Sequence, residues 1–408
     1  MRAKPSRIAV TGLGLVSPLG DNVDAAWQRL MRGEGAVRRM SFEGLPDIAA
    51  ASVDFDPATV LTKLQQVGTE RVSQMALSAA ARALEDAGLS EIGDGERVGL
   101  YVGTGLGGAS TIDTGYAAMY GGTRVPPLTV PAGMVNGPAA VIAMHCGILG
   151  PVVTYAVACA SSSVAIAEAA HALRRGEVDV AIAGGAEALL VRGTVAAWQA
   201  LRTLAPPRAD DVQGSCRPFS ADRNGLVLGE GAAFLVLRRE EDLAEAQREP
   251  HAWLVSSAVR CDAAHLTNPN VRGQVAALQA ALRSAQLLPS DIGYCNAHGT
   301  ATVAGDPVEC EALRQVWGDS AARLHVSSTK AAHGHLLGGA GALEALLTVM
   351  ALRRQEIPPT RGVHDLDPAC TGLRHVLGEG VPASNLGFAV SNSFAFGGTN
   401  STLVFARA

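Results

Sequence analysis

The 408 residues are 48% hydrophobic and only 17% charged, which excludes a disordered chain and supplies a sizeable core. Thirty-three basic against 38 acidic residues give a net charge of −5, which excludes a nucleic-acid binder that relies on a globally basic surface. Seven cysteines, an odd count without a C-x-x-C pair, exclude a disulfide framework and a zinc ribbon and point to a reducing, cytoplasmic setting.

The first apolar run, Arg7–Val10, follows Arg2 and Lys4 but meets Thr11-Gly12-Leu13-Gly14 at once. That pattern reads as a buried strand entering a glycine turn, not as a signal peptide. Val72–Ala87 has helical spacing and precedes the strand Val98–Val102. The next loop, Gly103-Thr104-Gly105-Leu106-Gly107-Gly108, matches G-x-G-x-x-G. A dinucleotide site needs a helix after it and an acidic residue about 20 positions on. Ala109–Gly122 is broken by Thr and Gly and the acid is missing, so the loop reads as structural. Val125–Ala167 lacks Asp, Glu, Lys and Arg, but Pro131, Asn136, Pro138, His145 and Pro151 interrupt it. It reads as the buried centre of a soluble protein, not a bilayer span.

Strands are then expected at Val152–Val157, Val178–Ala183, Ala233–Leu237, Ile292–Asn296 and Leu386–Val390, and helices at Val164–Arg175, Val275–Ala285 and Ala342–Leu352. The alternation predicts a mostly parallel sheet covered on both faces. A faint internal repeat is visible. Ala83–Leu89 is echoed by Ala281–Leu287, each leading into a strand, and Leu173–Glu177 is echoed by Leu352–Glu356.

Candidate chemistry sits at strand ends. Cys159, in Val157-Ala158-Cys159-Ala160-Ser161-Ser162-Ser163, lies beside a helix N-terminus, where free N–H groups and the helix dipole lower a thiol pKa. The alternative is a buried structural cysteine. His298 ends another strand, with a satisfied loop histidine as the alternative. Lys330 and His335 share a Gly/Ala-rich connection, and the pair His333 and His335 lacks the neighbouring ligands a metal needs. Gly397-Gly398 can offer backbone N–H groups to an oxyanion. One Cys, two His and one Lys together suit acyl transfer through a thioester.

In Ala158-Cys159-Ala160-Ser161-Ser162, His298-Gly299-Thr300 with Gly305-Asp306, Lys330 with Gly334-His335, and Phe396-Gly397-Gly398-Thr399-Asn400, the chain resembles the elongating β-ketoacyl-acyl-carrier-protein synthases over essentially its whole length. Initiating synthases carry Asn where His335 stands, and thiolases use a second Cys. The resemblance implies an α/β, thiolase-like fold: two similar βαβ-rich halves forming a layered α-β-α-β-α sandwich. Residues 1–250 would carry the nucleophile and residues 251–408 the two histidines.

It also implies roles. Cys159 accepts the acyl group, and His298 and His335 hydrogen-bond the malonyl thioester as carbon dioxide leaves. Lys330 acts electrostatically, and Glu344 and Asp306 support the site from behind. The N–H groups of Cys159 and Phe396 form an oxyanion hole, and the Phe396 side chain gates it. No metal and no cofactor are implied beyond the phosphopantetheine arm of an acyl carrier protein. That acidic carrier would dock at Arg124, Arg202 and Arg71. The chain would pair with itself or with a homologous Cys-less chain-length subunit, near the strand before Cys159. Neither nucleic acid nor membrane is an expected partner. Two pathways fit: fatty-acid-type elongation, or a specialised type II polyketide or aryl polyene system. Ala395 (commonly Gly), the shortened segment near Ser41–Ala51 and the unusual His333 are departures, and Ala395 is expected to narrow the freedom of the gate.

Overall fold

The computed structural model describes residues 7–89, 92–243 and 249–408. Its first half supplies strands β1 (Ile8–Val16), β2 (Val98–Gly103), β3 (Val152–Tyr155), β4 (Val180–Glu187) and β5 (Gly231–Arg239). The second supplies β6 (Ala252–Cys261), β7 (Ile292–Asn296), β8 (His325–Ser327), β9 (Arg374–His375), β10 (Phe388–Phe394) and β11 (Thr399–Arg407). Together they form one 11-stranded sheet in the order β9-β8-β7-β10-β11-β6-β1-β5-β4-β2-β3. Outward from the seam, β1-β5-β4-β2-β3 and β6-β11-β10-β7-β8 follow the same path, so the halves are topological repeats. The seam itself is a short antiparallel pairing, Ile8↔Leu254, Ala9↔Trp253 and Val10↔Ala252.

Helices complete the layers. α1 (Arg71–Asp86) buries Val72, Met75, Ala76, Ala79, Ala80, Ala83 and Leu84 against β1 and β5. These positions recur at helical spacing, which is why the segment was legible as a helix. α2 (Ala109–Tyr120) and α3 (Gly137–Cys146) follow, then α4 (Ser161–Arg174) and α5 (Arg192–Ala200). In the second half, α6 (Val271–Ala285) covers β6 and β11, α7 (Gly305–Trp317) packs beside it, and α8 (Ala340–Arg354) enters the middle. α4 and α8 pack against each other between the two sheet halves. Every residue from Ala340 to Leu352 is buried, as befits a helix that is apolar nearly all round. The sequence echoes fall at equivalent places: the ends of α1 and α6, and the ends of α4 and α8.

Four readings need correction. The sheet is not mostly parallel: five strand pairs are parallel and five antiparallel. Gly12 and Gly14 make no turn but continue β1, where a Cβ would strike the carbonyl oxygens of Ala83 and Ala79. Their role is close approach of strand and helix, which a turn signal cannot be told from locally. Ala109–Tyr120 is a helix despite its Thr and Gly residues. Finally, the uncharged run is not wholly buried within one chain. Val130, Met144 and Leu149 are 70%, 74% and 73% exposed, and β3 is the outermost strand on that side. Among the described residues, no helix is long and apolar enough to cross a membrane.

Candidate active site

After β3 the chain enters a short 3-10 turn, Ala158–Ala160, and then α4. Ala158 has φ +49°, a left-handed conformation that costs a non-glycine residue on the order of 1 kcal/mol. Ser161 holds the turn: its Oγ accepts the Val157 N–H at 2.9 Å and donates to the Ala158 carbonyl at 2.7 Å. Left-handed Ala301 (φ +64°) and Leu337 (φ +44°) flank the histidines in the same way. Strain thus gathers around the candidate residues, as it does at functional sites.

Cys159 is buried among Leu189, Leu226, Leu228 and Leu337. Burial pushes its thiol up to about 12, although Lys330 and the Phe396 N–H pull it down. This corrects the expectation of a lowered pKa: desolvation outweighs the helix terminus in the resting site. Alkylation of Cys159 by iodoacetamide, followed by mass spectrometry of its peptide, is therefore expected to keep rising up to pH 10. A plateau near pH 9, where an ordinary thiol levels off, would contradict this.

His298 follows β7. Its N–H and that of Gly299 donate to the Glu309 carboxylate on α7 at 2.8 and 2.7 Å. His335 hangs from the opposite side, its N–H bonded to the Val227 carbonyl at 2.7 Å. Nδ1 of His335 accepts the Leu337 N–H at 3.3 Å, so the ring proton belongs on Nε2, which has no partner among the described residues. The two rings meet edge to face with centroids 5.4 Å apart. Ligand atoms of Cys159, His298 and His335 lie within 4.8 Å of one another. Burial, reinforced by the Lys330 charge, holds both imidazoles well below their usual pKa and hence neutral.

Lys330 forms a fully buried ion pair with Glu344 on α8. Burial raises the Glu344 carboxyl to about 7 against the pull of Lys330. Asp306, in the first turn of α7, accepts the Phe219 N–H at 2.8 Å and lies 3.6 Å from the Arg223 guanidinium. Burial raises it to about 7. The Phe396 N–H is directed at the Cys159 sulfur, and its ring stacks on Trp198 with centroids 6.3 Å apart. Ala395 has φ −103° and ψ 153°, ordinary extended backbone, so its Cβ causes no strain in this state. Gly397 and Gly398 supply the left-handed turn with φ +82° and +81°. His333 faces away: its Nδ1 donates to the Gly334 carbonyl at 2.8 Å and its Nε2 accepts from Thr329 Oγ1 at 3.0 Å. It is a structural residue and no partner to His335 in a metal pair.

Two carboxylates were not singled out by sequence reasoning. Glu309 had no local signal, since it orients a loop on another element. Glu187 had one, as the lone acid ending an apolar strand. It accepts the N–H groups of Gly105 at 2.6 Å, Leu106 at 3.3 Å and Gly338 at 3.0 Å. The N–H groups that a phosphate would need in the glycine loop are thus taken by the protein's own carboxylate. Gly338 allows the contact, because a Cβ there would strike the Gly105 nitrogen.

Of the docking candidates, Arg124 and Arg202 are exposed, and Leu201 beside Arg202 lines the cavity mouth. Arg71 is turned inward: it bonds Glu230 at 2.6 Å and the Val53 carbonyl at 2.8 Å. Its guanidinium holds the fold, so it is dropped as a docking residue. Cys159, His298, His335, Asp306 and Phe396 all line one cavity of about 1100 Å³, counted to its open mouth.

A layered α/β sandwich of two repeated halves, with a buried thiol and neutral imidazoles where they meet, defines a thiolase-like enzyme of the ketosynthase class. Profiles for the β-ketoacyl synthase N-terminal and C-terminal domains match residues 5–243 and 251–364. The chain belongs to the β-ketoacyl synthase family. It is 37% identical to nodulation protein E of Rhizobium leguminosarum bv. trifolii and 36% identical to 3-oxoacyl-[acyl-carrier-protein] synthase 2 of Coxiella burnetii, with 98% of each chain covered in both cases. Among solved structures, the ishigamide ketosynthase/chain length factor superposes with a TM-score of 0.92 at 30% identity, covering 99% of this chain and all of that one. The ketosynthase ApeO in complex with its chain length factor ApeC, from Xenorhabdus doucetiae, gives 0.86 at 29%, with both chains fully covered.

Proposed function

We propose that this protein condenses an acyl group held on Cys159 with malonyl-acyl-carrier protein, lengthening the chain by two carbons. One observation carries this reading: a single sulfur shares one cavity with two neutral imidazoles within 4.8 Å. Sγ attacks the acyl thioester, the carrier thiolate leaves, and the thiol proton passes to it. Acylation thus removes the high-pKa thiol from the cycle. The malonyl thioester then lies against the histidines, with the His335 Nε2–H donating to its carbonyl oxygen. Breaking the bond to the carboxylate releases carbon dioxide and leaves an enolate, which neutral donors and the nearby Lys330 charge stabilise. The enolate carbon attacks the acyl-Cys carbonyl, whose oxyanion is held by the N–H groups of Cys159 and Phe396. Collapse expels the Cys159 thiolate, which takes a proton from solvent water and restores the thiol. Lys330, Glu344, Asp306 and Glu309 hold the loops on which this geometry rests.

The acidic carrier docks at exposed Arg124 and at Arg202, whose neighbour Leu201 lines the cavity. Residues 1–250 then carry the nucleophile and residues 251–408 the imidazoles, in a protein of the cytoplasm. A second chain covers β3 and its exposed apolar neighbours. A homologous Cys-less subunit in that place would mark the specialised polyketide or aryl polyene reading, which is supported by the solved ketosynthase/chain length factor structures.

The test is intact-mass spectrometry of the protein offered a panel of acyl-carrier thioesters and then malonyl carrier. An acyl adduct on Cys159 that becomes a two-carbon-longer product is the expected result. No adduct from any member of the panel would remove the proposal. Co-purification with a Cys-less homologue would select the specialised pathway.

A further inference from the structure

The reaction cavity contains a polar side chain that the mechanism above leaves unused. Gln274 sits early in α6, is 2% exposed, and lines the same cavity as Cys159, His298 and His335. Its backbone N–H is occupied by the Asn270 carbonyl at the helix start. Its side-chain Oε1 is buried without a hydrogen-bond partner among the described residues. Elsewhere α6 buries Ala277, Leu278 and Ala281, so packing alone does not call for an amide here.

A buried acceptor without a donor is costly, and it becomes useful when a ligand brings the donor. Some polar groups on the cavity wall are already engaged, whereas Thr203 Oγ1 and Asp306 Oδ1, like Gln274 Oε1, are buried without a hydrogen-bond partner among the described residues. The Thr300 and Thr302 hydroxyls bond each other at 3.0 Å, and Asn400 Nδ2 donates to the Gly398 carbonyl at 2.9 Å. Acyl chains and malonyl groups offer methylenes and acceptors. The arm that delivers them offers amide N–H groups.

We propose that Gln274 Oε1 accepts a hydrogen bond from an amide N–H of the pantetheine arm while the thioester lies against Cys159. This rests on the function proposed above and adds a recognition residue to it. Gln274 then reports whether a thioester arrives on the correct carrier arm, and it leaves the bond-breaking groups untouched.

The test compares two esters of one acid that loads Cys159: its pantetheine thioester and its ethanethiol thioester, which has no amide. Gln274→Met keeps the volume and removes the acceptor. It is expected to load from the pantetheine ester about ten-fold less efficiently than the wild type. The ethanethiol ester should load equally on both, which also reports that the variant is folded. Equal losses with both esters, or no loss with either, overturn the inference. A second measurement needs no variant. Methylating the arm's amide nitrogens should cost the wild type about ten-fold, and undiminished loading overturns the inference. If neither parent ester loads wild-type Cys159, the proposed function falls as well.

Discussion

Cys159→Ala is expected to lower condensation by at least about 10⁴-fold, because no neighbouring group can replace the bond that sulfur makes to the acyl carbon. The variant should show no acyl adduct by intact mass. It should still release carbon dioxide from a malonyl thioester, since that step rests on His298 and His335. His335→Ala should behave inversely: an acyl adduct forms, but carbon dioxide release and condensation fall by roughly 10²–10³-fold, as for loss of one preorganised donor. Product mass and carbon dioxide release, measured on the same samples, separate the two steps. Condensation that survives in Cys159→Ala would refute the assignment of the nucleophile. Unimpaired decarboxylation in His335→Ala would refute the assignment of the donor.

The second large effect concerns stability. Lys330→Met leaves Glu344 buried without its partner and is expected to cost about 3–5 kcal/mol. That corresponds to a drop in Tm of roughly 4–6 °C for a chain of 408 residues. Glu344 titrates at about 7, above its unfolded value, and losing Lys330 raises it further. A raised carboxyl contributes most stability below its unfolded pKa and loses it as pH rises through the folded one. The penalty of Lys330→Met should therefore shrink near pH 5 and grow towards pH 8. Adding Glu344→Leu should recover most of the loss, because no charge is then stranded. A penalty that is flat with pH, or that simply adds in the double variant, would show that the pair does not act as a unit.

Much of this site was legible because its pieces are local. Cys159, His298, Lys330 and Phe396 each stand beside small residues at a strand end, where a short stretch of sequence carries both the turn and the chemistry. What escaped was set by distance. Glu309 stabilises the His298 loop from another helix, Arg71 is held by Glu230, and neither partnership leaves a trace in the neighbouring residues. The thiol pKa was misjudged for a related reason. The helix terminus beside Cys159 is written locally, but the four leucines that desolvate it come from three other stretches of the chain. In the same way, Gly12 and Gly14 advertise a turn unless one knows that α1 passes against them. Local spacing found α1, α4, α6 and α8 but not α2, α3, α5 or α7, and strand direction depended on which strands met across the sheet.

Glu187 belongs to the first half, yet it grips N–H groups from loops of both. Recombination between relatives is constrained accordingly. A chimera that takes residues before the seam from one parent and those after it from another inherits every reacting atom. It inherits their alignment only if Glu187, Gly105 and Gly338 travel as a matched set, so these three positions mark where an exchange of halves succeeds or fails.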